Sequence, residues 1–306
     1  MVNKGAEGPT ASGEPTIVMG IELSKKGWLV ALRTPLADKL SLHRFVAGDA
    51  KGLLELAQRV RAAAGALGTR VAVASCYEAG YDGFWLHRVL AAADIDNCVV
   101  DPASIHVDRR ARRAKTDRID AQALLRTLVA RCRGEGRVWS VVRPPTAADE
   151  DARRPHRERQ NLLKERGRHV SRIKGLCAQQ GILDYAPMRS DRHERLAKLM
   201  TGDGRPLQPQ LLAEIRRELA RLELLLQQIA ELETAREAAI GAVPDETAVP
   251  VQVLHTRSLR RLTAMGPETS AVLANEVFYR TFSNRRQLAG YVGLSPSPHQ
   301  SGGLSP

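Results

Sequence analysis

Across the first 130 residues the chain spells out an order of elements that leaves few architectures open. It begins with Ile17-Val18-Met19-Gly20-Ile21-Glu22-Leu23, an apolar, strand-like run with a single acid near its end. Trp28 to Arg33 and Leu40 to Val46 read as two more short strands, each preceded by turn residues. Gly52 to Leu67 has helical spacing, with Leu53, Leu54, Leu56, Val60 and Ala64 available to one face. Val71 to Cys76 is a second buried strand that delivers Glu78 just past its end. Phe84 to Ala93 then reads as a helix and Asn97 to Val100 as a strand; after a basic loop, a helix starts near Asp117 and runs through Leu128. Three strands, helix, strand, helix, strand, helix is an α/β order, with the first three strands as a meander.

That order predicts an RNase H-like α/β domain over residues 16–143, preceded by a disordered lead-in at 1–15. Pro144 and Pro145 mark a boundary. From Ala147 to Gln180 the chain is a strongly basic helical stretch that Gly181 should stop. A polar loop with Gly202, Gly204 and Pro206 leads into Leu212, Ile215, Leu219, Leu222, Leu226 and Ile229, spaced alternately by three and four as a heptad seam, which Gly241 and Pro244 end. Such a seam serves equally a helix packed on its own domain and a helix paired with another chain. Residues 144–244 are therefore expected to be a basic helical segment with a coiled-coil connector. Residues 255–306 are expected to be a small, mostly helical C-terminal domain, opening with two short helices around Met265-Gly266-Pro267. Ala264 stands where helical hairpins that hold phosphate often carry a glycine, so a plain hairpin is expected there.

The net charge of +12 favours a polyanionic partner, and it is concentrated. Residues 105–175 hold 20 Lys or Arg against 9 Asp or Glu, almost the whole surplus, as expected of a segment that tracks a phosphate backbone. Candidates for nucleic-acid contact are Arg109, Arg110, Arg112, Arg113 and Lys115 in the loop, and Arg166, Arg168, Arg172 and Lys174 on the helix. Aromatics are only 4% of the chain, which argues against extended base stacking as the main mode of binding. Cys76, Cys98, Cys132 and Cys177 have no zinc-like spacing and should be free thiols of a reducing cytoplasm. No apolar run is long enough to span a bilayer, and the first fifteen residues lack the apolar core of a secretory signal.

Four carboxylates stand at ends of these elements. Glu22 closes the first strand, Glu78 follows the fourth, and Asp117 and Asp120 open a helix, one turn apart on one face and favoured there by the helix dipole. Singly, Asp117 reads as an N-cap and Glu78 as a loop residue. Together, beside a basic segment, they read as the ligands of Mg²⁺, which prefers carboxylate oxygens, in a site for phosphodiester chemistry.

At these residues the chain resembles a known family. Gly20-Ile21-Glu22-Leu23-Ser24-Lys25, Tyr77-Glu78-Ala79-Gly80 and Lys115-Thr116-Asp117-Arg118-Ile119-Asp120-Ala121 are similar to the DEDD blocks of the RuvC-like insertion-sequence transposases, whose members are guided by a bridge RNA. Phe282-Ser283-Asn284, Leu288 through Pro296, and His299-Gln300-Ser301-Gly302 are similar to that family's second domain. The resemblance implies a DNA transposase or recombinase with Glu22, Glu78, Asp117 and Asp120 at the metal and Ser301 as nucleophile. It also implies a guide RNA, and a connector along the seam that pairs chains into a homo-oligomer. Glu22 stands where the family usually has Asp, and the family continues beyond the point matching Pro306, so a C-terminally truncated copy is expected. Two other functions compete: a RuvC-type junction nuclease, which would need neither Ser301 nor the last domain, and a non-catalytic nucleic-acid-binding remnant.

Overall fold

The computed structural model describes residues 15–35, 37–66, 70–105, 116–136, 138–241 and 249–294. The expected lead-in, the basic loop with Arg109, Arg110, Arg112, Arg113 and Lys115, and Ser301 lie outside the described residues. Contacts divide the chain at Pro145 into two compact units.

The first unit is built on a mixed sheet of six strands. A meander of β1 (Thr16–Leu23), β2 (Trp28–Thr34) and β3 (Ala37–Phe45) is followed by α1 (Ala50–Gly65), β4 (Ala72–Glu78), α2 (Trp85–Ala92), β5 (Asp96–Val100), α3 (Asp117–Cys132) and the two-residue strand β6 (Val141–Val142). Spatial order is β3-β2-β1-β4-β5-β6. The β1–β2, β2–β3 and β5–β6 pairs are antiparallel, whereas β1–β4 and β4–β5 are parallel and joined by helical crossovers. Both faces are covered, which is why β1 and β4 read as continuous apolar runs instead of alternating ones. Ile17, Met19, Ile21, Val73 and Tyr77 meet Leu53 and Leu56 of α1 and Leu86 and Leu90 of α2 on one face. On the other, Val18, Ala74, Cys76 and Cys98 meet Ala121, Leu124, Leu125 and Leu128 of α3.

The seat of α3 on β1 is unusually close. A Cβ added at Gly20 would stand 2.5 Å from the Leu125 backbone nitrogen and 2.7 Å from the Ala121 carbonyl oxygen. On the adjacent strand the Cys76 thiol donates to the Leu124 carbonyl at 3.6 Å. Backbone against backbone leaves no flexible group to move aside, so Gly20→Ala should lower the stability of this unit by about 1–3 kcal/mol, read by chemical denaturation. An unchanged midpoint would mean that α3 can slide off its seat at no cost.

The second unit is helical: α4 (Ala147–Ala152), α5 (Arg154–Ala178), α6 (Arg192–Ala197), α7 (Pro209–Gly241), α8 (Val251–Arg260), α9 (Pro267–Val272), which runs on into a π-helical turn at Leu273–Val277, and α10 (Arg285–Tyr291). The basic stretch expected as one helix is broken at Arg153, because Pro155 has no N–H to continue the ladder from α4. A Thr146–Asp149 capping box starts α4. Gly181, at φ +75°, turns the chain out of α5, and its Cα side abuts Gly202, whose N–H bonds the Gln180 carbonyl at 2.7 Å. Within the segment expected as a polar loop, residues 192–197 form α6 and bury Leu196. Between α8 and α9, Ala264 adopts φ +67°, a left-handed conformation that the side chain disfavours.

Part of the heptad seam is covered within the chain, the first of the two arrangements that the sequence left open. Ile215, Leu219 and Leu222 of α7 are fully buried against Ile173 and Cys177 of α5 and against Ile182, Tyr185, Leu196 and Leu207 of the intervening segment. Arg159 meets Glu233 while His169 meets Glu218, so α5 and α7 run antiparallel as a hairpin. The segment between them, folded back as α6, supplies the apolar cover that a second chain would otherwise give. Leu219→Ala should therefore cost about 2–5 kcal/mol of stability in denaturation while leaving the sedimenting mass of the folded protein unchanged. Dissociation of an oligomer by this variant would restore the intermolecular seam.

Candidate functional site

All four expected acids stand at or near element ends, with one difference of detail: Glu78 is the last residue of β4, not a residue of the loop after it. The parallel register pairs Ile21 with Tyr77, so Glu22 and Glu78 are the next rung of the same ladder. Strand pleating puts both on the side of Val18, Ala74 and Cys76, the face that α3 covers. The loops beyond them meet as well, with the Lys25 ammonium 4.5 Å from the centre of the Tyr81 ring.

The course of α3 brings the aspartates to this same end. Val129 and Cys132, in its last turn, share a surface hollow with Thr16 and Val18 at the start of β1. Ala121 and Leu125 sit over Gly20. Hence α3 runs antiparallel to β1, and its first turn lies toward Glu22. The Thr116 hydroxyl accepts from the Ile119 N–H at 3.3 Å, leaving Asp117 and Asp120 in that turn as N-terminal acids and not as the cap. Glu78 and Asp117 are exposed, while Glu22 and Asp120 are half-buried.

Four hard oxygen donors, partly open to solvent and beside a helix N-terminus, suit a divalent cation such as Mg²⁺ in their chemistry. Among the described residues, however, no three Asp, Glu, His or Cys side chains are gathered closely enough to hold an ion. The backbone brings the four acids to one end of the sheet, and their side chains do not gather into a metal-binding cluster. The cysteines offer no alternative. Cys76, Cys98 and Cys177 are buried and unpaired by disulfide, and burial pushes Cys98 up to about 12 and Cys177 up to about 11, so they pack as small apolar groups.

In the second unit the basic helix divides its charges between two tasks. Arg153 and Arg157 converge with His156 on Glu276, in the π-helical turn; Arg157 donates to both its carboxylate oxygens at 2.5 and 2.7 Å, and the His156 Nε2 contact is 2.8 Å. Arg159 pairs with Glu233 and Glu268. Arg172 lies 3.4 Å from Glu218, a buried acid that also holds His169 and Arg221. These cations hold the helices together, and sequence counting had no means of separating them from the rest. Arg168 and Lys174 are exposed and Arg166 half-buried, on turns of α5 that face solvent.

A mixed sheet whose two central parallel strands end in acids, crossed by a helix that opens with two more, is consistent with an RNase H-like DEDD domain. No helix among the described residues is long and apolar enough to cross a membrane. Comparison with known proteins carries the assignment further. Residues 15–180 match the DEDD transposase model of the IS110 group, and residues 256–305 match the model described as transposase IS116/IS110/IS902 family. A putative transposase, y4rJ, of Sinorhizobium fredii is 46% identical over 311 residues, covering 99% of this chain and 78% of that protein. A probable family 20 transposase of Pseudomonas aeruginosa is 29% identical over 192 residues, covering 62% of this chain and 52% of that protein. The chain belongs to the IS110 family of transposases.

Glu276 gives this unit a pH signature. Burial alone would raise its carboxyl, but hydrogen bonds from Arg157 and His156 and the charge of Arg153 outweigh it and bring the pKa down to about 2. A carboxylate depressed in the folded state stabilises fully above its unfolded value, near 4.5, and that stability fades as pH falls through about 2. In acid titrations followed by helical signal, Glu276→Gln should be less stable at neutral pH and should lose that part of the pH dependence between about 4.5 and 2. Parallel acid curves for parent and variant would assign the acid sensitivity elsewhere.

Proposed function

We propose that this chain cuts and rejoins DNA strands as the transposase of an insertion sequence, with Glu22, Glu78, Asp117 and Asp120 as the ligands of Mg²⁺. The observation that carries this reading is the shared end of β1, β4 and α3, where all four carboxylates stand. A bound divalent cation would supply charge for the phosphodiester and acidity for an attacking hydroxyl. The chain's own part is to hold the carboxylates on rigid elements, with Glu22 reaching one methylene farther than an Asp would. The exposed Arg168 and Lys174 and the half-buried Arg166 of α5 hold phosphates of the bound strand, together with Arg109, Arg110, Arg112, Arg113 and Lys115. Arg172 contributes as well as pairing with Glu218. Ser301 is the nucleophile, and a guide RNA shares the basic surface with DNA; both rest on the resemblance of the motif blocks.

Cleavage of DNA carrying the element's ends tests the reading. Asp117→Asn keeps shape and removes charge, so strand cleavage should be abolished while folding and DNA binding persist. Chelation of divalent cations should do the same to the parent, with Mg²⁺ restoring it. Cleavage at the parent rate by both Asp117→Asn and Glu78→Gln would sink the assignment.

A further inference from the structure

Although aromatic residues are scarce, four of them crowd into the 14 positions from Phe278 to Tyr291. They pack edge-on and tilted: Phe278 on Phe282 at 6.4 Å between centres and 87°, and Phe282 on Tyr291 at 5.6 Å and 52°. His255 of α8 approaches Phe278 at 6.1 Å. Phe278, Phe282 and His255, with Tyr279, wall a cavity of about 500 Å³ that Arg280, Arg285 and Leu288 help to complete. None of the described residues that line it is acidic. The Arg280 guanidinium stacks 4.5 Å above the Tyr291 ring, which holds its charge at the rim. His255 is among the lining residues, and its Nδ1 has no hydrogen-bond partner among the described residues.

We propose that this cavity receives an unstacked nucleobase of single-stranded DNA, its flat face against Phe278 and Phe282, its polar edge at His255 and its flanking phosphates at Arg280 and Arg285. Three demands of a nucleobase are met together: π-faces to stack on, a hydrogen-bonding group within an apolar wall, and cations spaced along the mouth for the backbone. A purely apolar peptide would leave the arginines and His255 unmatched, and an acidic peptide would leave the ring faces empty. The inference rests on the reading of the chain as a DNA-handling protein, but it needs neither the acidic site nor Ser301.

The test uses the full chain and short single-stranded DNA carrying 2-aminopurine, compared with the same strand holding an abasic site. Binding should alter 2-aminopurine fluorescence, and the abasic strand should bind roughly tenfold more weakly. Phe282→Ala should erase that difference while leaving the salt dependence of binding unchanged, Phe282→Tyr should restore it, and Arg285→Gln should lower the salt slope by about one. Tight DNA binding with equal affinity for intact and abasic strands overturns the pocket and leaves the transposase reading standing. Loss of all DNA binding by the parent would overturn both. Preference for a base in RNA but not in DNA overturns the proposal, as does a preference that emerges only when residues 295–306 are removed, since their own side chains would then be the occupants.

Discussion

How near α3 can come to β1 governs the whole acidic end of the first unit. Gly20 removes the one atom that would hold the helix off the strand, and the backbones of Ala121 and Leu125 occupy the vacated space. Since α3 is rigid over its sixteen residues, its depth at Gly20 sets the depth of its first turn. Asp117 and Asp120 consequently stand where they do relative to Glu22 because of a packing contact that involves none of the four acids. Small groups on the neighbouring strand, Ala74 and Cys76, continue the same seat.

In the second unit the corresponding constraint is polar. A single buried carboxylate, Glu218, faces His169, Arg172 and Arg221 across the α5–α7 hairpin, and the apolar seam lies beside it. Taking an acid out of water is costly unless its partners are fixed, so the pairing favours one register of the two helices over its neighbours. Glu276 does the same for the π-helical turn against α5. The strongly basic composition of α5 is thus partly internal structure, and the charge available to a polyanion is smaller than a count along the sequence suggests.

Legibility differed by the kind of information required. The strands and helices of the first unit emerged from apolar spacing within a few residues of their bounds, because burial on a period is a local record of a distant fact. Two elements of the chain and one helix break did not. Two-residue β6 exists only by pairing with β5, and α6 has too few residues for its period to rise above its polar neighbours. The break at Arg153 was available in Pro155 but masked by the strongly helical composition around it. Of the acids, positions along the elements were readable, and their common end was an expectation that required the direction of α3 to be known.

By itself the sequence determined which faces of the elements are apolar, where turns and caps fall, where positive charge concentrates, and through its motif blocks the family. Tertiary structure alone decided what meets what. A heptad seam states that Leu219 and Leu222 must be covered, yet the covering by α5 and α6 depends on a hairpin whose closure no local pattern encodes. Likewise Gly20 is one glycine among 24 until α3 is laid across it. The physical reason is the same in both cases: hydrophobic burial is non-directional and fixes the need for a partner, whereas the identity and distance of that partner come from steric fit between elements far apart in the chain.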